Sequence, residues 1–321
     1  MSKERPAVQP MIERVQALRR GLGSLEPLAA LPLELERLRV QIGRAEAARV
    51  RALPVDAPLR EAEFQVFSQF GEDGIIQHLI SKVPIEADVF VEFGVEDFTE
   101  SNTRFLLVND NWRGLVIDGS DAHQRWLAAH PTGWRHDIEA ITAFIDRDNI
   151  NGLIGDAGIT GDIGVLSVDL DGNDLWILKA IDVVQPRILI TEYNATFGPE
   201  AAVSVPYDPG FVRTEKHAST LYWGASLAAL AQAARDKGFS LVGSNLAGNN
   251  AFFVRDDVRG GLPAVDPASA WRPSRFRESR GPDGELTYVS DPQERLRIMR
   301  ELPLVDTESG ATVTIAERFG V

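Results

Sequence analysis

The sequence predicts an α/β fold: a mostly parallel, seven-stranded sheet with crossover helices, its last strand antiparallel, behind a helical N-terminal extension. Three observations predict it. Apolar runs at residues 88–94, 113–118, 163–169 and 186–192 are separated by helix-length gaps, which parallel strands require as crossovers. Those runs end in or beside an acid, and ligands of such sheets bind beyond the carboxyl ends of the strands. The last two runs, Phe239-Ser-Leu-Val-Gly243 and Asn250-Ala-Phe-Phe-Val-Arg255, flank a short Asn/Gly turn that joins strands antiparallel.

Residues 1–52 form the expected extension, with ten Lys/Arg against six Asp/Glu in an otherwise acidic chain. Ile12, Val15, Leu18 and Leu22 have helical spacing, interrupted by Gly21, Gly23 and Pro27. Leu31, Leu35, Leu38, Ile42 and Ala45 then step in a heptad rhythm. Two readings stay open: a helix packed on its own domain, or an oligomerisation element joining copies of the chain. Residues 53–64, opening with Leu53-Pro-Val-Asp-Ala-Pro58, read as a linker, and 65–256 as the main domain.

In that domain Ser68 is expected to cap a helix presenting Ile75, Ile76, Leu79 and Ile80. Asp88-Val-Phe-Val-Glu-Phe-Gly94 is the first strand, a helix is expected within Asp97–Asp110, and Arg113-Gly-Leu-Val-Ile-Asp118-Gly-Ser120 is the second. Trp134-Arg-His-Asp137-Ile138 reads as a weak third strand ending in an acid, followed by a polar helix over 139–152. Ile163–Asp169 and its helix Asn173–Ile181, then Pro186–Glu192, supply strands four and five. A long loop follows from Tyr193 to Leu221, then an alanine-rich helix over Ser226–Lys237 with a Gly238 stop. Residues 257–321 are expected to pack on the domain, with one helix at Pro292–Leu302.

The net charge of −14 argues against a nucleic-acid partner, because phosphate binding needs a basic surface. No apolar run is long enough to span a bilayer, and the N-terminus carries no signal-peptide core, so the expected location is cytoplasmic. Cysteine is absent, which excludes disulfides, thiolate metal sites and cysteine nucleophiles.

The βαβ unit at 88–120 is Rossmann-like. A glycine after the first strand and a carboxylate, Asp118, followed by Gly119, at the tip of the second are how such a sheet holds an adenosine ribose. The first turn, Gly94-Val-Glu-Asp-Phe-Thr, is acidic and lacks the second and third glycines of a dinucleotide site. It would repel a pyrophosphate and attract the ammonium of an amino-acid tail. That asymmetry favours S-adenosyl-L-methionine over NAD.

The arrangement over about residues 65–256 resembles class I S-adenosylmethionine-dependent methyltransferases, and within them the FkbM-type group. The carriers are Ser68-Gln-Phe-Gly-Glu-Asp-Gly74, Val91-Glu-Phe-Gly94, Ile117-Asp118, Ser167-Val-Asp-Leu-Asp-Gly172 and Asn250-Ala-Phe-Phe-Val254. The first motif departs from the group's glycine-rich form. The resemblance implies a methyltransferase sheet and an O-methyltransferase acting on a sugar, polysaccharide or natural-product hydroxyl. It also implies that Glu92 and Gly94 line the methionine moiety, Asp118 holds the ribose, Asp137 with Ile138 faces the adenine, and Asp169 sits beside the reacting sulfur. A non-catalytic binding or scaffold protein with the same fold is the alternative.

Asp169, Asp171, Glu192 and Asn194 offer oxygen ligands at neighbouring strand ends. They suit Mg²⁺ or another hard divalent cation, as in catechol-type relatives of the fold, or they cap helices and bind the ligand directly. For a general base, His217 in the long loop is the first candidate, with Asp169 and Asp171 as acidic partners. His78 and His136 read as structural, His123 and His130 as surface positions. Tyr207, Tyr222 and Trp223 either stack on a sugar or pack their own loop. Arg272, Arg275, Arg277 and Arg280 either bind an anion or form surface ion pairs.

Overall fold

The structure, a computed structural model, describes residues 26–321, with side chains from residue 31. The spacing at Ile12–Leu22 lies outside the described residues. The chain opens with α1 (Glu26–Arg51) and α2 (Glu72–Lys82) and enters the sheet at β1 (Val89–Phe93). Next come β2 (Arg113–Asp118), α3 (Ala122–Ala129), α4 (Pro131–Arg135), β3 (Ile138–Thr142) and α5 (Ile150–Asp156). Then follow β4 (Gly161–Val168), α6 (Asp174–Ala180) and β5 (Val184–Glu192). A short β6 (Val203–Ser204) and α7 (Arg213–Lys216) interrupt the long loop before α8 (Leu227–Asp236), β7 (Phe239–Ser244) and β8 (Asn250–Arg255). The chain ends with α9 (Pro267–Ala270), α10 (Pro292–Ile298), β9 (Pro303–Asp306), β10 (Thr312–Thr314) and α11 (Ile315–Phe319).

The main sheet has seven strands in the order β3-β2-β1-β4-β5-β8-β7. β1 to β5 pair in parallel, and β8 is inserted antiparallel between β5 and β7. This is the predicted methyltransferase-type sheet with its last strand antiparallel. β6, β9 and β10 form a separate three-stranded sheet, so the C-terminal segment and the loop after β5 share one small core around Phe197, Val203, Tyr222, Leu296 and Leu304.

Strand alternation divides the core. Val91, Phe93, Ile117 and Leu166 face α5, α6 and α8 on one side, while Phe90, Val116, Val165 and Ile190 face α2 on the other. Close approaches fix the register: a Cβ on Gly114 would sit 2.2 Å from the Phe90 ring, and one on Gly164 2.4 Å from Trp112.

Local expectations fail where polar turns compete with helices. Gly71, not Ser68, immediately precedes α2, but Ser68 Oγ accepts the first-turn Asp73 N–H at 3.1 Å, and the Ser68 hydroxyl and the 66–68 amides donate to the buried Asp73 carboxylate. The helix expected within Asp97–Asp110 is confined to residues 104–110; residues 97–103 are turns, the last three held by Glu92. The third strand begins where it was expected to end, because Pro131 at the first turn and the His130 ring accepting the Thr132 N–H make a short helix of Pro131–Arg135. Consequently 138–142 is strand and 143–149 loop, not a helix over 139–152.

In α1 the buried stripe is Val40, Gly43, Ala47 and Val50, with Gly43 close against Val66 and Phe105. The expected heptad residues Leu31, Leu35, Leu38 and Ile42 lie on the exposed side. Glu36 anchors the helix by accepting from Arg104 at 2.9 Å. The Arg104 guanidinium lies between the Phe67 and Trp126 rings, 4.0 and 4.3 Å from their centroids, and His130 stacks on Trp126.

Candidate active site

A cavity of about 850 Å³ opens at the carboxyl ends of β1, β2, β4 and β5. Its wall carries Glu92, Glu96, Asp118, Asp169, Asp171 and Glu192 from the sheet side, and Arg213, Trp223 and Arg295 from the opposite side.

The turn after β1 begins at Gly94, with φ +71°. A Cβ there would meet the Asp169 carbonyl oxygen at 1.8 Å, so this glycine seats the first turn against the end of β4. Glu92, on the face of β1 opposite Phe93, is buried and receives the Asn102 N–H at 2.7 Å and the hydroxyls of Ser101 and Thr103. It therefore shapes the 101–103 turn. Asn102 Nδ2 in turn donates to Ser167 Oγ. Burial raises the Glu92 pKa against these bonds.

Asp118 ends β2 on the cavity wall. Its Oδ2 accepts the Glu96 N–H at 2.9 Å and its Oδ1 the Ser120 N–H at 2.7 Å. Each carboxylate oxygen keeps lone-pair capacity for two adjacent hydroxyls. Beside it lie Gly119 and the apolar group Ala143, Phe144 and Ile145, which follows β3. Phe144 is 50% exposed although it is a large aromatic at a cavity mouth. The structure places Asp137 and Ile138 elsewhere. They stand at the start of β3, the sheet edge opposite the cavity, and Asp137 approaches Arg113 instead. The displaced strand start described above is the cause.

Asp169 and Glu192 follow directly on Val168 and Thr191, which are register partners of β4 and β5. Their carboxyls thus lie side by side within hydrogen-bonding reach. Both pKa values are raised well above the ordinary carboxylate range, first by burial. Asp171 and Asp174 raise Asp169 further, against a hydrogen bond with Glu192, while Asp169, Asp171 and Asp174 raise Glu192. Glu192 Oε2 is buried without a hydrogen-bond partner.

Asp171, with φ +51°, turns away from this pair and binds Arg213 Nη1 at 2.7 Å. Asn194 is consumed structurally: Nδ2 donates to the Leu221 and Trp223 carbonyls, and Oδ1 accepts from the Thr196 N–H. The four proposed cation ligands are thus not gathered around one point. Among the described residues no group of three or more His, Cys, Asp or Glu is arranged to hold a metal ion.

His217 does not line the cavity; its Nδ1 lies 2.8 Å from Ser219 Oγ, and burial lowers its pKa. His123 is fully buried, with Nε2 at the Ile141 carbonyl, rather than at the surface. Tyr222 is buried and donates to the Pro303 carbonyl, and Tyr207 receives the Arg147 N–H, so of the three loop aromatics only Trp223 reaches the cavity. Arg272, Arg275, Arg277 and Arg280 do not line it either; Arg280 pairs with Glu278. In the upstream Gln-Phe-Gly-Glu-Asp motif Gln69 lines the cavity, while Glu72 serves the frame by receiving Asn245 and Asn250 from the β7–β8 hairpin. Among the wall residues that the sequence did not yield are Glu96, Asn102, Phe144, Arg213 and Arg295. Phe144 carried a signal as the bulkiest member of the apolar run Ala143-Phe144-Ile145.

No protein-family model matches the chain, and no curated protein matches it. Among solved structures it is similar to an O-methyltransferase family protein from Burkholderia thailandensis at 14% identity and a TM-score of 0.34, covering 69% of this chain and 58% of that one. It is similar to the CurJ carbon methyltransferase at 12% identity and TM-score 0.35, over 57% of this chain and 52% of that one. An S-adenosylmethionine-dependent methyltransferase from Aquifex aeolicus aligns at 10% identity and TM-score 0.33, over 64% of this chain and 96% of that one. The first two matches thus span little more than half of those chains. Among the described residues no helix is long and apolar enough to cross a membrane.

Proposed function

We propose that this chain is an S-adenosylmethionine-dependent O-methyltransferase of the FkbM type, acting in the cytoplasm on a sugar, polysaccharide or natural-product hydroxyl. The observation that carries the reading is the acid-lined cavity with Asp118 at the tip of β2 and the Asp169–Glu192 pair two strands away. The wall fits a cofactor with a ribose diol and a positively charged tail, and it repels a pyrophosphate.

When bound, the cofactor supplies an electrophilic methyl group on a sulfonium. Asp118 would accept the ribose hydroxyls, and Phe144 with Ile145 would offer the adenine an apolar wall. Glu92 positions the 101–103 turn that closes the tail pocket. The raised pKa of the Asp169–Glu192 pair makes it a stronger base than an ordinary carboxylate. Glu192 Oε2, buried without a partner, would accept the proton of the acceptor hydroxyl, and the bound cofactor would supply the methyl group to that oxygen.

Calorimetry with S-adenosylhomocysteine and NADH tests this. S-adenosylhomocysteine is expected to bind the wild type and to lose about 100-fold or more on Asp118→Ala, since two charge-assisted hydrogen bonds disappear. Binding of NADH with none of S-adenosylhomocysteine would overturn the reading.

One observation favours a second reading, a non-catalytic assembly protein. Leu38 and Ile42 of α1 are 60% and 67% exposed, on the heptad stripe that also carries Leu31 and Leu35. We propose that a second copy covers this stripe. Light scattering of the wild type and of Leu38→Glu checks the assembly: a dimer that the substitution dissociates supports it, and a wild-type monomer at high concentration rejects it. Methyl transfer to any acceptor rejects the non-catalytic reading.

A further inference from the structure

Arg295, at the centre of α10, is 7% exposed, yet it reaches the cavity wall. Its Nε donates to the Val289 carbonyl at 2.8 Å and its Nη2 to the Phe276 carbonyl at 2.7 Å. Among the described residues no carboxylate lies within ion-pair distance of it, and Nη1 has no protein partner. Glu278, the acid on the same wall, pairs with Arg280 at 3.1 Å. The nearest charge of note is a second cation: Arg213 lines the same wall, with Nε on the Thr220 carbonyl and Nη1 on Asp171. Burial, and then the Arg213 guanidinium, hold the Arg295 pKa below the usual arginine value.

A buried guanidinium that shares a wall with another guanidinium and lacks an anion is an unpaired buried charge, which is costly to the fold. Two carbonyls orient the fork but neutralise nothing. Arginine's planar donors match an oxyanion in two-pronged geometry. Trp223 extends the same wall, with the Arg213 guanidinium 5.0 Å from its ring centroid, and offers a flat apolar face beside the charged one.

We propose that Arg295 and Arg213 form an oxyanion subsite, so that the acceptor is a hydroxylated compound carrying a carboxylate or a phosphate, held with its hydroxyl toward Asp169 and Glu192. The proposal rests on the methyltransferase reading for the meaning of the acceptor, while the subsite itself rests on the arginines alone. The acids of the sheet side then repel the anionic group from the cofactor end and orient the acceptor in one sense.

The test uses the full-length protein saturated with S-adenosylhomocysteine. D-glucuronate, D-glucose 6-phosphate and neutral D-glucose are titrated as probes by calorimetry and by Trp fluorescence. At least one charged probe is expected to bind about 10-fold or more tighter than glucose, and whichever it is identifies carboxylate or phosphate as the group read. Arg295→Met and Arg213→Met are each expected to remove that preference, and Arg295→Lys to restore part of it. Should Arg295→Met fail to fold, Arg213→Met carries the test, because its side chain reaches the cavity from a short surface helix. Equal binding of all three probes, or a preference unchanged in the arginine variants, overturns the subsite. Charged-probe binding without any S-adenosylhomocysteine binding keeps the subsite and overturns the methyltransferase reading instead.

Discussion

At one end of the cavity the charges are carboxylates set where consecutive parallel strands stop; at the other they are guanidiniums brought together by a loop and by a helix near the C-terminus. The first set is placed by the sheet. Once β4 and β5 pair at Val168 and Thr191, Asp169 and Glu192 have no freedom to separate. The second set depends on the small core around Phe197, Tyr222, Leu296 and Leu304 holding α10 against the loop after β5. The sheet end of the cavity is therefore set by strand pairing, and the opposite end is where related sheets can differ without losing the fold.

The largest effect expected to break this contrast comes from Glu192→Gln. It removes the proton acceptor while keeping the shape, so kcat is expected to fall about 10²–10⁴-fold with S-adenosylhomocysteine affinity held within a few-fold. A similar loss in both quantities would make Glu192 a binding group instead. Next is Gly94→Ala. Positive φ and the contact with the Asp169 carbonyl together should cost about 2–4 kcal/mol in denaturant unfolding. An unchanged midpoint would mean that the first turn is not seated on β4.

A pH effect sharpens the comparison further. Asp169 and Glu192 keep their protons to higher pH in the fold than in the unfolded chain. The folded state therefore binds more protons as pH rises from the ordinary carboxylate range, and stability falls through that window. Glu192→Gln is expected to unfold at a higher temperature than wild type above neutrality, with the two curves meeting toward about pH 4. Parallel curves at all pH values would refute the coupled pair. The smallest effect belongs to Asp137→Ala, which should alter cofactor affinity and stability by no more than roughly 0.5 kcal/mol, because the side chain is exposed on the far edge of the sheet.

The sequence revealed the sheet because apolar strand runs and acidic tips repeat on a simple period, and Asp118, Asp169 and Glu192 follow from strand ends alone. It misplaced Asp137 because β3 is a half-exposed edge strand with weak alternation, while Pro131 and His130 make a helix of Pro131–Arg135 where the strand was expected to begin. It read the α1 leucines correctly as a stripe but could not see that Gly43 and Ala47, small and inconspicuous, mark the face that packs. His217 looked suited to proton transfer because it lies in a long loop, yet Ser219 holds its ring outside the cavity. Arg295 was hidden for another reason. In α10 it is spaced like any solvent-facing helical arginine, and only the tertiary packing that brings the Phe276 and Val289 carbonyls to its guanidinium sets it apart.

The Glu36–Arg104 contact has a mechanical consequence. Arg104 follows Thr103, one of the residues that Glu92 grips, so the helix that carries the exposed leucines also holds the last link of a turn on the cavity wall. Trimming α1 would strip the Arg104 cation, held between two aromatic rings, of the Glu36 carboxylate that hydrogen-bonds it. A pull along that helix would therefore reach the cavity wall through Glu36 as well as through the buried stripe of Val40, Gly43, Ala47 and Val50.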